Sequence, residues 1–151
     1  MSTLFAIALV FHVIFGVVGV IASYTVLLLL LKKTANQRVL KWASFIAFLS
    51  YMVSWFSGGY YYVLYYGGSV KPDIVGGASP WAHLVFMEAK EHIFLMLPFA
   101  TFALFILLYF KADAVFVGGA LKGNTILLSA VITVLATIIT LSGILISGGA
   151  R

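Results

Sequence analysis

Four long apolar stretches divided by short polar ones dominate the chain. The first runs from about Thr3 to Leu31 and ends in the unbroken leucines Leu27 to Leu31, facing Lys32 and Lys33. The second runs from about Trp42 to Tyr66, the third from about Trp81 to Phe110, and the fourth from about Asn124 to Ile146. Each is long enough for a helix to cross a hydrocarbon core, which takes roughly 20 residues. The stretch from Gly67 to Pro80, with its glycines, Pro72 and Asp73, reads as the longest loop. The pattern predicts an all-α, polytopic membrane protein: one four-transmembrane-helix bundle over residues 1–151.

Composition agrees with lipid as the solvent. Hydrophobic residues make up 64% of the chain, charged residues 9%, and the mean hydropathy is +1.16, whereas about a quarter of a soluble domain is charged. The formal charge of +5 does not point to nucleic acid, because the basic residues are scattered and form no stripe. They act instead as topology signals. Lys32, Lys33, Arg38 and Lys41 follow the first stretch, and Lys111 and Lys122 follow the third. The opposite side has only Lys71 and Arg151 outside the third stretch, so the positive-inside rule predicts both termini outside the cytoplasm. The first stretch lacks a basic segment before it, which argues for a retained helix and against a cleaved signal. With no cysteine, disulfides, thiolate metal sites, covalent c-type haem and dithiol redox chemistry are excluded.

Ser50, Ser54 and Ser57 in the second stretch, and Ser129, Thr133, Thr137 and Thr140 in the fourth, recur at helical spacing. Such faces allow close helix approach and hydroxyl bonds across helices or back to their own carbonyls. Tyr60, Tyr61, Tyr62, Tyr65 and Tyr66 crowd one end of the second stretch. They form an interfacial aromatic belt or line a site for a flat ligand such as a quinone or a porphyrin.

Ionisable residues inside membrane helices are functional candidates by default, and here they are His12, His83, Glu88, Lys90, Glu91 and His92. His12 lies twenty residues before Lys32, and His92 nineteen before Lys111. At about 1.5 Å per residue both imidazoles sit roughly 30 Å from the basic boundary, at one level. At about 100° per residue, with Glu88 at zero, Glu91 falls near −60° and His92 near +40°, while His83 and Lys90 fall near −140° and −160°. The expected chemical face therefore holds Glu88, Glu91 and His92, with His83 and Lys90 turned away. His83 is expected to be solvated beyond the membrane.

The function this predicts is that of a small membrane b-type cytochrome. His12 and His92 would be the axial ligands of a haem b, and Gly16 and Gly19 would open a slot for the porphyrin. The architecture resembles that of four-helix membrane b cytochromes, without a shared motif. A non-haem site for Zn, Fe or Cu built from His12, His92, Glu88 and Glu91 is the alternative. The Glu-x-x-His spacing of di-iron bundles is absent. A third class is a channel, carrier or assembly subunit of a larger membrane complex, with the hydroxyls of the fourth stretch lining a path. No phosphate loop, nucleophile elbow or His-Glu-x-x-His motif marks an enzyme. A homodimer or larger complex is expected, since His83 and Lys90 on the far face call for partners from a neighbour.

Overall fold

The computed structural model describes residues 1–32 and 36–149; Lys33 and Arg151, counted above as topology signals, lie outside the described residues. Helix α1 spans Thr3–Leu31 and α2 spans Gln37–Tyr61. Without a break, α2 passes into a π-helical segment, Tyr62–Val70, and then into the short helix α3, Lys71–Gly76. A second π-helical segment, Ala82–Met87, leads into α4, Glu88–Val117, and α5 spans Gly119–Gly149. Four helical rods, Thr3–Leu31, Gln37–Gly76, Ala82–Val117 and Gly119–Gly148, are each long and apolar enough to cross a membrane. The fold is an all-α four-helix bundle of an integral, multi-pass kind.

Helix α1 packs on α2, α2 on α4, α4 on α5, and α5 back on α1, which closes the ring. Side-chain pairs fix the neighbours as antiparallel. His12 meets Ser54 while Ser23 meets Tyr51, and Gln37 meets Asp113 while Phe48 meets Phe102. One end of the bundle, the basic end, therefore carries Lys32, Arg38, Lys41, Lys111 and Lys122. The other, the tyrosine end, carries Tyr60 to Tyr66 and both ends of the described chain.

Several boundaries differ from the sequence expectation, each for a local reason. Helix α2 starts at Gln37 and not at Trp42, because the Asn36 side chain accepts bonds from the amides of Arg38 (3.0 Å) and Val39 (3.3 Å) and so caps the helix. Arg38 and Lys41 thus belong to the first turns of a helix and not to a loop. The stretch expected to be a loop from Gly67 is helical as far as Gly76. Pro72 does not break it: it stands in the first turn of α3, at the junction with the π-helical segment. Helix α4 continues past Phe110 to Val117 through a kink at Lys111 (φ −126°, ψ 19°). Gly118 (φ 104°) and Gly119 (φ 75°) then turn the chain directly into α5, in backbone that only glycine adopts without strain.

The seam between α1 and α2 is the tightest. The Tyr51 ring, 2% exposed, lies on Gly19, and its hydroxyl bonds Ser23 Oγ at 3.0 Å. Ser44, Ser50, Ser54, Ser129 and Thr133 are buried among Val26, Leu30, Leu97, Leu104 and Ile132. The small-residue stripes are therefore packing faces, as membrane helices that approach closely require. A second, smaller core at the tyrosine end joins Tyr66, Ile74, Ala82 and Ile146.

Candidate functional site

The site is built around His12 on α1. Its Nδ1 lies 2.9 Å from the Ser54 carbonyl oxygen and 3.0 Å from Ser54 Oγ. Ser54 Oγ in turn donates to the His12 carbonyl (2.9 Å). A carbonyl oxygen can only accept, so His12 Nδ1 carries the proton, and in the neutral ring Nε2 is left with a free lone pair. The imidazole fits against α2 because position 58 is glycine: a Cβ there would overlap the ring at Nδ1 and lie 2.8 Å from Cε1. Phe94 of α4 meets the ring edge-on, with centroids 5.8 Å apart.

Two cavities of about 620 and 560 Å³ share His12, Lys90, Phe94 and Gly143. The first reaches toward the bundle centre past Gly16, Tyr51, Ser54 and Leu97. The second reaches toward the tyrosine end past Trp55, Tyr61, Tyr62, Tyr66, Asp73 and Glu91. Lys90 Nζ lies beside Gly143 of α5, where a Cβ would stay 3.6 Å away, an ordinary contact. Glu91 Oε1 is buried with no hydrogen-bond partner, and the Tyr62 hydroxyl faces that carboxylate. The rings of Tyr62 and Tyr66 stack at 5.2 Å. Val13, Val17, Leu95 and Ile144 line the rims of the two cavities and are exposed on the outside of the bundle. The cavities therefore open sideways, toward lipid.

The sequence-derived site is assembled only in part. His12 and Glu91 reach this cavity pair, and Gly16 lines one wall. His92 does not: it is exposed, its Nδ1 donates to the Glu88 carbonyl of its own helix (2.7 Å), and it lines neither cavity. Glu88 is exposed on the same outer flank. Gly19 opens no slot, since Tyr51 fills the space. His12 and His92 therefore do not face a common cavity. Among the described residues no group of three or more His, Cys, Asp or Glu side chains is placed to hold a metal ion. The hydroxyls of Thr133, Thr137 and Thr140 donate back to carbonyls of α5 at 2.8 to 2.9 Å.

Lys90 and His83, expected on a far face, both turn inward. Lys90 lines both cavities. His83 is 1% exposed, and its Nδ1 lies 3.1 Å from the Tyr66 hydroxyl. These two residues therefore supply no argument for a neighbouring subunit. The pair joins the two π-helical segments, whose wider turns displace side chains from the α-helical register. Tyr66→Phe is expected to destabilise the protein by about 1–3 kcal/mol, because it strands His83 Nδ1 in the core of the tyrosine end. Detergent-solubilised protein melted with and without the substitution checks this, and unchanged melting would show the bond to be dispensable.

The sequence carried a signal for Lys90 that charge alone obscured. Leu97, Thr101, Leu104 and Leu108 form the buried stripe of α4, and its upward continuation at helical spacing passes through Phe94, Lys90 and Met87. No protein-family model, curated protein or solved structure matches the chain.

Proposed function

We propose that the protein is a membrane subunit that binds a quinone-class molecule in the half of the bilayer at its tyrosine end. The observation that carries this reading is the convergence of His12, Lys90 and Glu91 on one ring-lined cavity of about 560 Å³. A quinone presents two carbonyl acceptors, and its quinol two hydroxyl donors. The Lys90 ammonium is a donor only, and His12 Nε2 and the Glu91 carboxylate are acceptors, so the side chains lining the site offer hydrogen bonds to both redox forms. Tyr61, Tyr62 and Trp55 supply flat apolar walls, and the opening toward lipid suits a ligand that lives in the membrane. With the positive-inside rule, this end and both termini face away from the cytoplasm.

The test is saturable quenching of Trp55 fluorescence by a short-chain benzoquinone in nanodiscs, with Trp42 and Trp81 replaced by Phe. Lys90→Met is expected to weaken binding at least about tenfold, the worth of a hydrogen bond to a charged group. Absence of saturable quenching in the protein with Trp55 intact would remove the proposal.

One observation favours a second reading, a haem held by His12. Its Nδ1–H bond to the Ser54 carbonyl leaves Nε2 oriented as metal-bound imidazoles are. Here a Soret band should appear on adding haem, vanish in His12→Ala and persist in His92→Ala.

A further inference from the structure

A third cavity, of about 670 Å³, lies apart from this site on the outer surface of the bundle at its basic end, between α2 and α4. Arg38, Lys41, Trp42 and Phe45 line it from α2, and Phe105 and Tyr109 from α4. The α2 residues stand at i, i+3, i+4 and i+7, which is one helix face. That face is not the packing face, which holds Leu40, Ala43, Ser44 and Ala47. Trp42 is 59% and Tyr109 51% exposed, so the groove is open to the surroundings of the bundle.

The groove has a charged head and an apolar floor. Arg38 to Phe45 covers seven residue steps, about 10 Å along the helix axis, the step from headgroup depth into the acyl region. The Phe45 and Phe105 rings meet at 5.3 Å, and the aromatic floor continues deeper through Phe48 and Phe102 (5.1 Å). Lys41 Nζ sits 5.7 Å from the Tyr109 ring centroid, which holds the cation at the groove wall. Asp113 is the acidic residue at this end, and its Oδ1 accepts from the Gln37 amide at 2.8 Å. Lys32, Arg38, Lys41, Lys111 and Lys122 leave the end strongly positive.

We propose that this groove is a binding site for one anionic phospholipid, its phosphate held by Arg38 and Lys41 and its acyl chains laid on the Phe45 and Phe105 floor. A fluid lipid annulus requires no cleft, and a free phosphate requires no aromatic floor; a bound anionic lipid uses both. Basic pockets between membrane helices recognise such headgroups by the same chemistry.

The protein, purified in mild detergent, would be titrated by native mass spectrometry with dioleoyl phosphatidylglycerol, dioleoyl phosphatidylcholine and glycerol 3-phosphate. Each cation beside an anionic headgroup contributes about a fivefold factor. Phosphatidylglycerol is therefore expected to bind roughly 25-fold more tightly than phosphatidylcholine, and glycerol 3-phosphate should not displace it. Arg38→Gln with Lys41→Gln should abolish the preference and leave phosphatidylcholine retention and melting unchanged. Lys122→Gln, outside the groove, should keep it. If the double variant fails to fold, each single variant should lose about fivefold. Equal binding of the two lipids, a preference that survives the substitutions, or displacement by glycerol 3-phosphate would overturn the assignment.

Discussion

Gly19→Val is expected to destabilise the bundle by about 3 kcal/mol, the upper range for overpacking a well-filled interior. A Cβ at this position would lie 2.6 to 3.0 Å from three atoms of the Tyr51 ring. The ring is buried and tied through its hydroxyl to Ser23, so it moves aside, into the cavity it lines, only by giving up that bond. Otherwise the two backbones part, and the α1–α2 seam loses contacts along its length. Gly16 provides the comparison, because a Cβ there would meet Ser54 Oγ at 3.5 Å, an ordinary contact. Gly16→Ala should be nearly neutral. Unfolding of the variants by titrated SDS in mixed micelles checks both, and a Gly19→Val protein as resistant as the parent would refute the close approach.

Gly58→Ala is expected to damage stability and binding together. One added methyl group overlaps the His12 ring, and the ring can yield only by giving up its bond to the Ser54 carbonyl. The cost is about 1–3 kcal/mol from strain and from the unpaired polar groups. Turning His12 Nε2 away from its cavity should also weaken the proposed quinone binding by about tenfold, the worth of one such bond. Gly68 is the matched control, since nothing lies within 4 Å of a Cβ there and it lines neither cavity. Equal quinone affinity in the Gly58→Ala and Gly68→Ala proteins would separate His12 from the site.

Depth was legible in the sequence and azimuth was not. Counting back from Lys32 and Lys111 puts His12 level with His92, and in the structure His12 meets Phe94 and Lys90, the neighbours of His92 in the chain. A membrane-crossing helix has a fixed rise, so one boundary charge sets the level of every residue on it. Rotation about the axis has no such ruler. Grouping Glu88, Glu91 and His92 by their chemistry gave a face of which α4 turns only Glu91 inward. The buried line through Leu97, Thr101, Leu104 and Leu108 carries Lys90 inward instead. Apolar residues on every side of α4 blurred that line, because lipid-facing positions are as hydrophobic as the interior ones. The π-helical segments were hidden for a different reason. Gly67, Gly68 and Pro72 resemble a loop locally, whereas in the structure Tyr66 and Ile74 of that stretch pack with Ala82 and Ile146.

The sideways openings of the two cavities, at Val13, Val17 and Ile144 and at Leu95, change what concentration means for this protein. A ligand that enters from lipid is counted per lipid molecule and not per litre, so occupancy follows its mole fraction in the bilayer. Diluting the membrane with ligand-free lipid at constant ligand and protein should empty the site, while diluting the buffer around the same membranes should leave it filled. Detergent micelles act as added solvent in the same sense, and a strongly apolar ligand carried through purification would fade in proportion to the detergent used.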